Sequence, residues 1–152
     1  MPQPAKAQLN SPIVLRLLHP CLAPRLNLPA RLMIPKIKIE AKILYMGLTK
    51  GGAMDTPTNI NDVGWYKYGA LPGSKGTAVI SGHIDGLRGE PGVFSALDQL
   101  RADDRLSVVD SSGRITNFVV REAKIYGQNE QPAEVFNSSE GAHLNLITCT
   151  GT

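Results

Sequence analysis

From Lys36 to Ile43 the chain alternates polar and apolar residues without a break: Lys36-Ile37-Lys38-Ile39-Glu40-Ala41-Lys42-Ile43. A period of two places Ile37, Ile39, Ala41 and Ile43 on one face and the three lysines and Glu40 on the other. Such a pattern suits a β-strand with one face buried and one in water. Four further runs read as strands. Thr77-Ala78-Val79-Ile80-Ser81 has the β-branched character of a buried strand. Arg105 to Asp110 and Ile115 to Tyr126 flank the hairpin signal Ser111-Ser112-Gly113. Leu144 to Cys149 is the last. Val63-Gly64-Trp65-Tyr66 is a short amphipathic segment, and Leu71-Pro72-Gly73-Ser74 is a turn. Fifteen glycines and eleven prolines argue against a helical bundle, since both residues interrupt helices. One short helix is expected from Val93 to Leu100, where Phe94, Leu97 and Leu100 recur every three residues. The expected fold is mostly β: an antiparallel sheet closed, or half closed, into a barrel with one or two short helices.

The length of 152 residues allows one domain and a tail. Residues 1–30 carry Pro2, Pro4, Pro12, Pro20, Pro24 and Pro29 with few charges, and read as an extended arm or linker outside the packed core. The domain is expected over 31–152. Ile13 to Leu18 is too short for a membrane-spanning helix and contains Arg16. His19, Pro20 and Pro24 interrupt it as a signal peptide. An export signal is therefore expected outside this sequence, or the protein is not exported. The net charge of +3 is spread among acidic residues, and aromatics make up 5% of the chain. No interleaved basic and aromatic surface is present, which speaks against nucleic-acid binding.

Cys149 ends an apolar strand, where a rigid backbone can hold a thiol at the mouth of a cleft. It is equally the profile of a buried structural cysteine. In the context Ile147-Thr148-Cys149-Thr150-Gly151 its adjacent residues are hydroxyl-bearing, with a glycine just beyond, and permit close approach of a substrate. Cys21 lies in a proline-broken segment, and spacing alone cannot establish a disulfide between the two. His83 follows a buried strand through Ser81-Gly82, where the glycine lets a ligand approach the backbone. His83 with Asp85 is a weak metal motif without a second histidine or a cysteine cluster. His19 adds no ligand spacing, and His143 reads as a solvated residue in a polar turn. No metal or other cofactor is expected. A cysteine and a histidine together are more informative, because a histidine can stabilise a thiolate nucleophile and protonate a leaving amine.

The motifs resemble those of the sortases in order along the chain. Thr77-Ala78-Val79-Ile80-Ser81-Gly82-His83-Ile84-Asp85 resembles the family's strand and Gly-His-Val/Ile-Asp motif. Leu144-Asn145-Leu146-Ile147-Thr148-Cys149 resembles its Thr-Leu-x-Thr-Cys strand, with Asn145 where threonine is usual. Arg31 to Ile37 is similar to the first strand, Val63 to Tyr66 with Pro72-Gly73 to the next block, and Val93 to Leu100 to the helix after the histidine. The likeness covers about residues 31–152 and is greatest to the exported sortases of class E or F. It implies an eight-stranded β-barrel and a cell-surface cysteine transpeptidase. Cys149 would be the nucleophile, attacking the Thr–Gly bond of a sorting signal in a secreted protein to give a thioester. His83 would be the general acid/base. The amine acceptor would come from peptidoglycan or a pilin.

The resemblance also implies an arginine on a strand after the cysteine, binding substrate or stabilising the oxyanion. Arg88, Arg101, Arg105, Arg114 and Arg121 all precede Cys149, so the sequence predicts a missing final strand and an open edge beside the cysteine strand. The substrate-binding residues are not legible. A second reading is therefore a truncated fragment or an inactive barrel that binds peptides without acylation. An L,D-transpeptidase would need a Ser-x-Gly-Cys-type motif, which Ile147-Thr148-Cys149-Thr150 does not supply.

Overall fold

A computed structural model describes residues 12–18, 27–125 and 141–149, with the backbone alone at 12–18, Ile125 and Cys149. Eight strands form one closed barrel: β1 (Pro12–Leu18), β2 (Pro29–Ile34), β3 (Ile39–Met46), β4 (Val63–Tyr66), β5 (Gly76–Gly82), β6 (Arg105–Asp110), β7 (Ile115–Ile125) and β8 (Ala142–Cys149). Around the barrel they run β1-β7-β6-β2-β3-β4-β5-β8. Two neighbouring pairs are parallel, β3 with β4 and β5 with β8. The rest are antiparallel.

β3 follows the alternation that announced it: Ile39, Ala41 and Ile43 are buried, Glu40 and Lys42 exposed. Its start differs from the sequence expectation. Pro35–Ile37 forms a single 3₁₀ turn, and Lys38 takes a left-handed conformation at φ 56° with its N–H bonded to Pro35 O. Proline suits a first helical position because it has no N–H to leave unpaired. Ile37 still packs against the core, so the buried phase survives the break.

The helix expected from Val93 to Leu100 is also absent as such. Successive bonds run Ser95 N–H to Gly92 O, Leu97 N–H to Phe94 O, Gln99 N–H to Ala96 O and Leu100 N–H to Leu97 O. Only Leu97–Gln99 is regular, as a 3₁₀ helix. A repeat of three matches 3.0 residues per turn better than 3.6, and it buries Phe94, Leu97 and Leu100 together.

β5 and β8 are buried on both faces. Inside the barrel Ala78, Ile80, Leu144 and Leu146 join the main core. Outside it Val79 and Ile147 pack with Tyr66 and Met54 in a second cluster. The connection from β3 to β4 supplies that outer cover. Burial of Tyr66, and then the neighbouring Tyr68, push the Tyr66 phenol above its ordinary range. β4 is buried throughout, where the sequence suggested an amphipathic segment.

The edge expected to stand open beside β8 is occupied. β1 pairs with β8 from Pro12 opposite Cys149 to Leu18 opposite His143, and with β7 on its other side. Part of the segment expected as an arm over 1–30 is thus a barrel strand. Its apolar run Ile13-Val14-Leu15 and its proline at the first strand position are compatible with that place, and two strand edges there offer unpaired N–H and C=O groups.

Candidate active site

β5 and β8 run parallel with a constant offset of 66 residues, from Gly76 opposite Ala142 to Ser81 opposite Ile147. The same offset leads from His83 to Cys149. Both residues therefore leave the same end of two adjacent strands, whose backbones stand about 4.8 Å apart. This is how residues far apart in sequence come to one place. His143 lies at the other end of β8, about 20 Å away at strand rise. There it is half-buried in the sheet opposite Thr77, instead of solvated in a turn. His19 and Cys21 fall outside the described residues.

A groove of about 540 Å³ opens at this end. Ser81, Gly82, Ile147 and Thr148 line it from the sheet. Met54, Thr56, Thr58 and Ile60 line it from the β3–β4 connection, and Ile84 to Leu87 with Gly89 from the loop after His83. The lining is apolar with interspersed hydroxyls, and Asp85 and His83 are its titratable groups. Thr148 Oγ1 is buried and has no hydrogen-bond partner among the described residues. An apolar trough with a few polar groups suits an extended, largely uncharged peptide segment.

The backbone of His83 is fixed by Phe94 N–H, which donates to His83 O at 2.9 Å, and by Gly92 N–H, which donates to Ile84 O at 2.9 Å. Gly92 must be glycine here, since a Cβ would lie 2.4 Å from His83 O. The imidazole is half-exposed, and its Nε2 lies 2.6 Å from Pro57 O. The loop after His83 is tied to itself. Gly86 N–H donates to Glu90 O at 2.8 Å, Gly89 N–H to Gly86 O at 3.1 Å, and Arg88 N–H to Glu90 Oε2 at 2.9 Å. It holds Leu87 fully exposed on the groove rim. Among the described residues no three His, Cys, Asp or Glu side chains gather to hold a metal. No helix among them is long and apolar enough to cross a membrane.

Sequence reasoning singled out His83 and Asp85 on this groove but passed over its other wall. Met54, Thr56, Thr58 and Ile60 lie in a connection whose sequence has no strand or helix period to mark it.

The sortase domain family matches residues 32–152. Comparison with curated proteins finds no match. Among solved structures, Sortase A from Corynebacterium diphtheriae superposes with a TM-score of 0.62 at 21% identity, covering 84% of this chain and 55% of that one. Sortase C-1 from Actinomyces oris gives 0.62 at 23% identity, covering 80% and 64%. Sortase C1 from Streptococcus agalactiae gives 0.62 at 21%, covering 80% and 58%. The chain thus spans between 55% and 64% of the length of these relatives.

Proposed function

The chain belongs to the sortase family, and from that premise we propose that it is a cysteine transpeptidase with Cys149 as nucleophile and His83 as general acid/base. The observation that carries the reading is the common offset of β5 and β8, which sends the two residues out at the same end of neighbouring strands beside a peptide-sized groove. Class E or F character, extracytoplasmic location at the cell surface, and the substrates named below are part of the same proposal.

The Cys149 thiolate attacks the carbonyl carbon of a Thr–Gly bond in a secreted protein's sorting signal. As the tetrahedral intermediate collapses, His83 gives a proton to the departing glycine amine, leaving a thioester on Cys149. An amine from peptidoglycan or a pilin then attacks the thioester. His83 takes the amine's proton, the new amide forms and the thiolate is released. Water in place of the amine gives hydrolysis.

A panel of peptides containing Thr–Gly should yield a mass adduct on Cys149 equal to the N-terminal fragment. Cys149→Ala should abolish both the adduct and turnover. Unchanged turnover in Cys149→Ala would sink the reading. Peptide binding without an adduct in the wild type would favour a non-catalytic peptide-binding barrel.

A further inference from the structure

His83 makes one contact that the scheme above leaves unused. Its Nε2 stands 2.6 Å from the carbonyl oxygen of Pro57, 26 residues earlier in the chain. A carbonyl oxygen has lone pairs and no hydrogen. The bond therefore forms only when Nε2 carries the proton and donates it. If catalytic proton transfer took place at Nε2, this short bond would have to break each time the ring gave up its proton. At Nδ1 a proton can come and go while the bond stays. The neutral ring then has its lone pair on Nδ1, and the imidazolium donates from both nitrogens.

We infer that the Pro57 carbonyl is a positioning group that fixes the tautomer and orientation of His83, and that Nδ1 is the nitrogen that transfers the proton. This rests on the transpeptidase reading. In acylation the Nδ1–H proton goes to the glycine nitrogen as its bond to carbon breaks and the thioester forms. In transfer the Nδ1 lone pair takes a proton from the attacking amine as the new C–N bond forms and the thiolate leaves. The ring ends the cycle as it began.

Both partners are held from behind, as a positioning contact requires. Proline fixes its own φ, which narrows the directions its carbonyl can take. Pro57 is buried, and its ring packs on Gly64 of β4, where an added Cβ would lie 3.1 Å from Pro57 Cδ and 3.3 Å from Cγ. The loop around it is pinned by Thr56 N–H to Asp55 Oδ1 and Asn61 N–H to Asn59 Oδ1, both 2.9 Å, and by Val93 N–H to Ile60 O at 2.8 Å. On the other side, the His83 backbone is held by Phe94.

Two measurements on the full chain test the inference. The first is ¹⁵N NMR of protein labelled in its imidazoles and needs no substrate. The neutral His83 ring should show a proton on Nε2, slow to exchange with water, and none on Nδ1. Gly64→Ala combined with Met46→Ala removes the closest clash and leaves the new methyl 3.1 Å and 3.3 Å from Pro57 Cδ and Cγ, which should shift the Pro57 ring slightly and make that proton exchange faster. A proton on Nδ1 in the wild type, with none on Nε2, overturns the role of Pro57. The second is His83→Nδ1-methylhistidine, which removes the Nδ1 lone pair and leaves Nε2 as the one basic nitrogen of the ring. Thioester formation should fall by about 10²-fold or more, while circular dichroism and alkylation of Cys149 remain as in the wild type. Retention of wild-type acylation assigns the transfer to Nε2 and overturns the inference. A wild-type protein that forms no thioester overturns the transpeptidase reading instead, with the NMR result still deciding the role of Pro57.

Discussion

Gly82 closes β5 immediately before His83, and its missing side chain is filled by Phe94. A Cβ at this position would lie 2.6 Å from Phe94 Cδ2, 2.8 Å from Cε2 and 2.9 Å from Val93 Cγ1. Carbon atoms in ordinary contact sit about 3.5–4.0 Å apart, so Gly82→Ala asks the ring to retreat by roughly 1 Å. Phe94 is fully buried among the side chains of the main core. Overpacking of this kind costs about 1–3 kcal/mol. Phe94→Leu alone should cost about 1–2 kcal/mol, because it leaves unfilled volume. Combined, the smaller side chain accommodates the new methyl. The double variant should then be more stable than the sum of the two single losses by about 0.5–3 kcal/mol. Urea unfolding followed by fluorescence of the single tryptophan, Trp65, gives the three free energies, provided the m-values agree. Additivity within about 0.5 kcal/mol would refute the claim that Phe94 packs on Gly82 to tie the end of β5 to the turn behind it.

The hairpin between β6 and β7 carries a pH dependence. The Ser112 hydroxyl, and then the N–H groups of Arg114 and Ser112, hold the Asp110 carboxyl below its ordinary 3.8. A carboxyl depressed on folding contributes stability that is complete above its unfolded value and lost as pH falls through the folded one. The wild-type urea midpoint should therefore drop more steeply below about pH 4 than that of Asp110→Asn, and equal slopes would refute this reading. Leu87 is fully exposed on its loop, so Leu87→Ser should leave the unfolding free energy from urea titration within about 0.5 kcal/mol of wild type. A larger loss would mean that Leu87 packs against the protein.

The sequence made parts of this barrel readable because their periodicity is local. β6 runs from Arg105 to Asp110 as the pattern predicts, and the β7 hairpin turns at Ser111-Ser112-Gly113. The period of three from Phe94 to Leu100 marked the buried residues correctly, although the backbone that serves it is a chain of 3₁₀ turns. What stayed hidden depends on distant partners. Nothing within Pro12–Leu18 tells that β7 and β8 will flank it. His83 and Cys149 stood out by residue type, but their shared end of the sheet follows from the β5–β8 register. Pro57 was invisible for a different reason: its contribution is a backbone carbonyl, which every residue has.

β1 also bears on the order in which the molecule is assembled. Pro12 and Cys149 are 137 positions apart and face each other across one ladder. During synthesis β1 is made first, yet neither of its neighbours exists until nearly all the rest has followed. Until then its N–H and C=O groups have no ladder partner in the sheet. Contacts of such long sequence separation form slowly, because the loop must close before they gain anything. The β1 seam is therefore expected to form late in folding. Substitutions in it should act mainly by speeding unfolding, while those in the β6–β7 hairpin should slow folding.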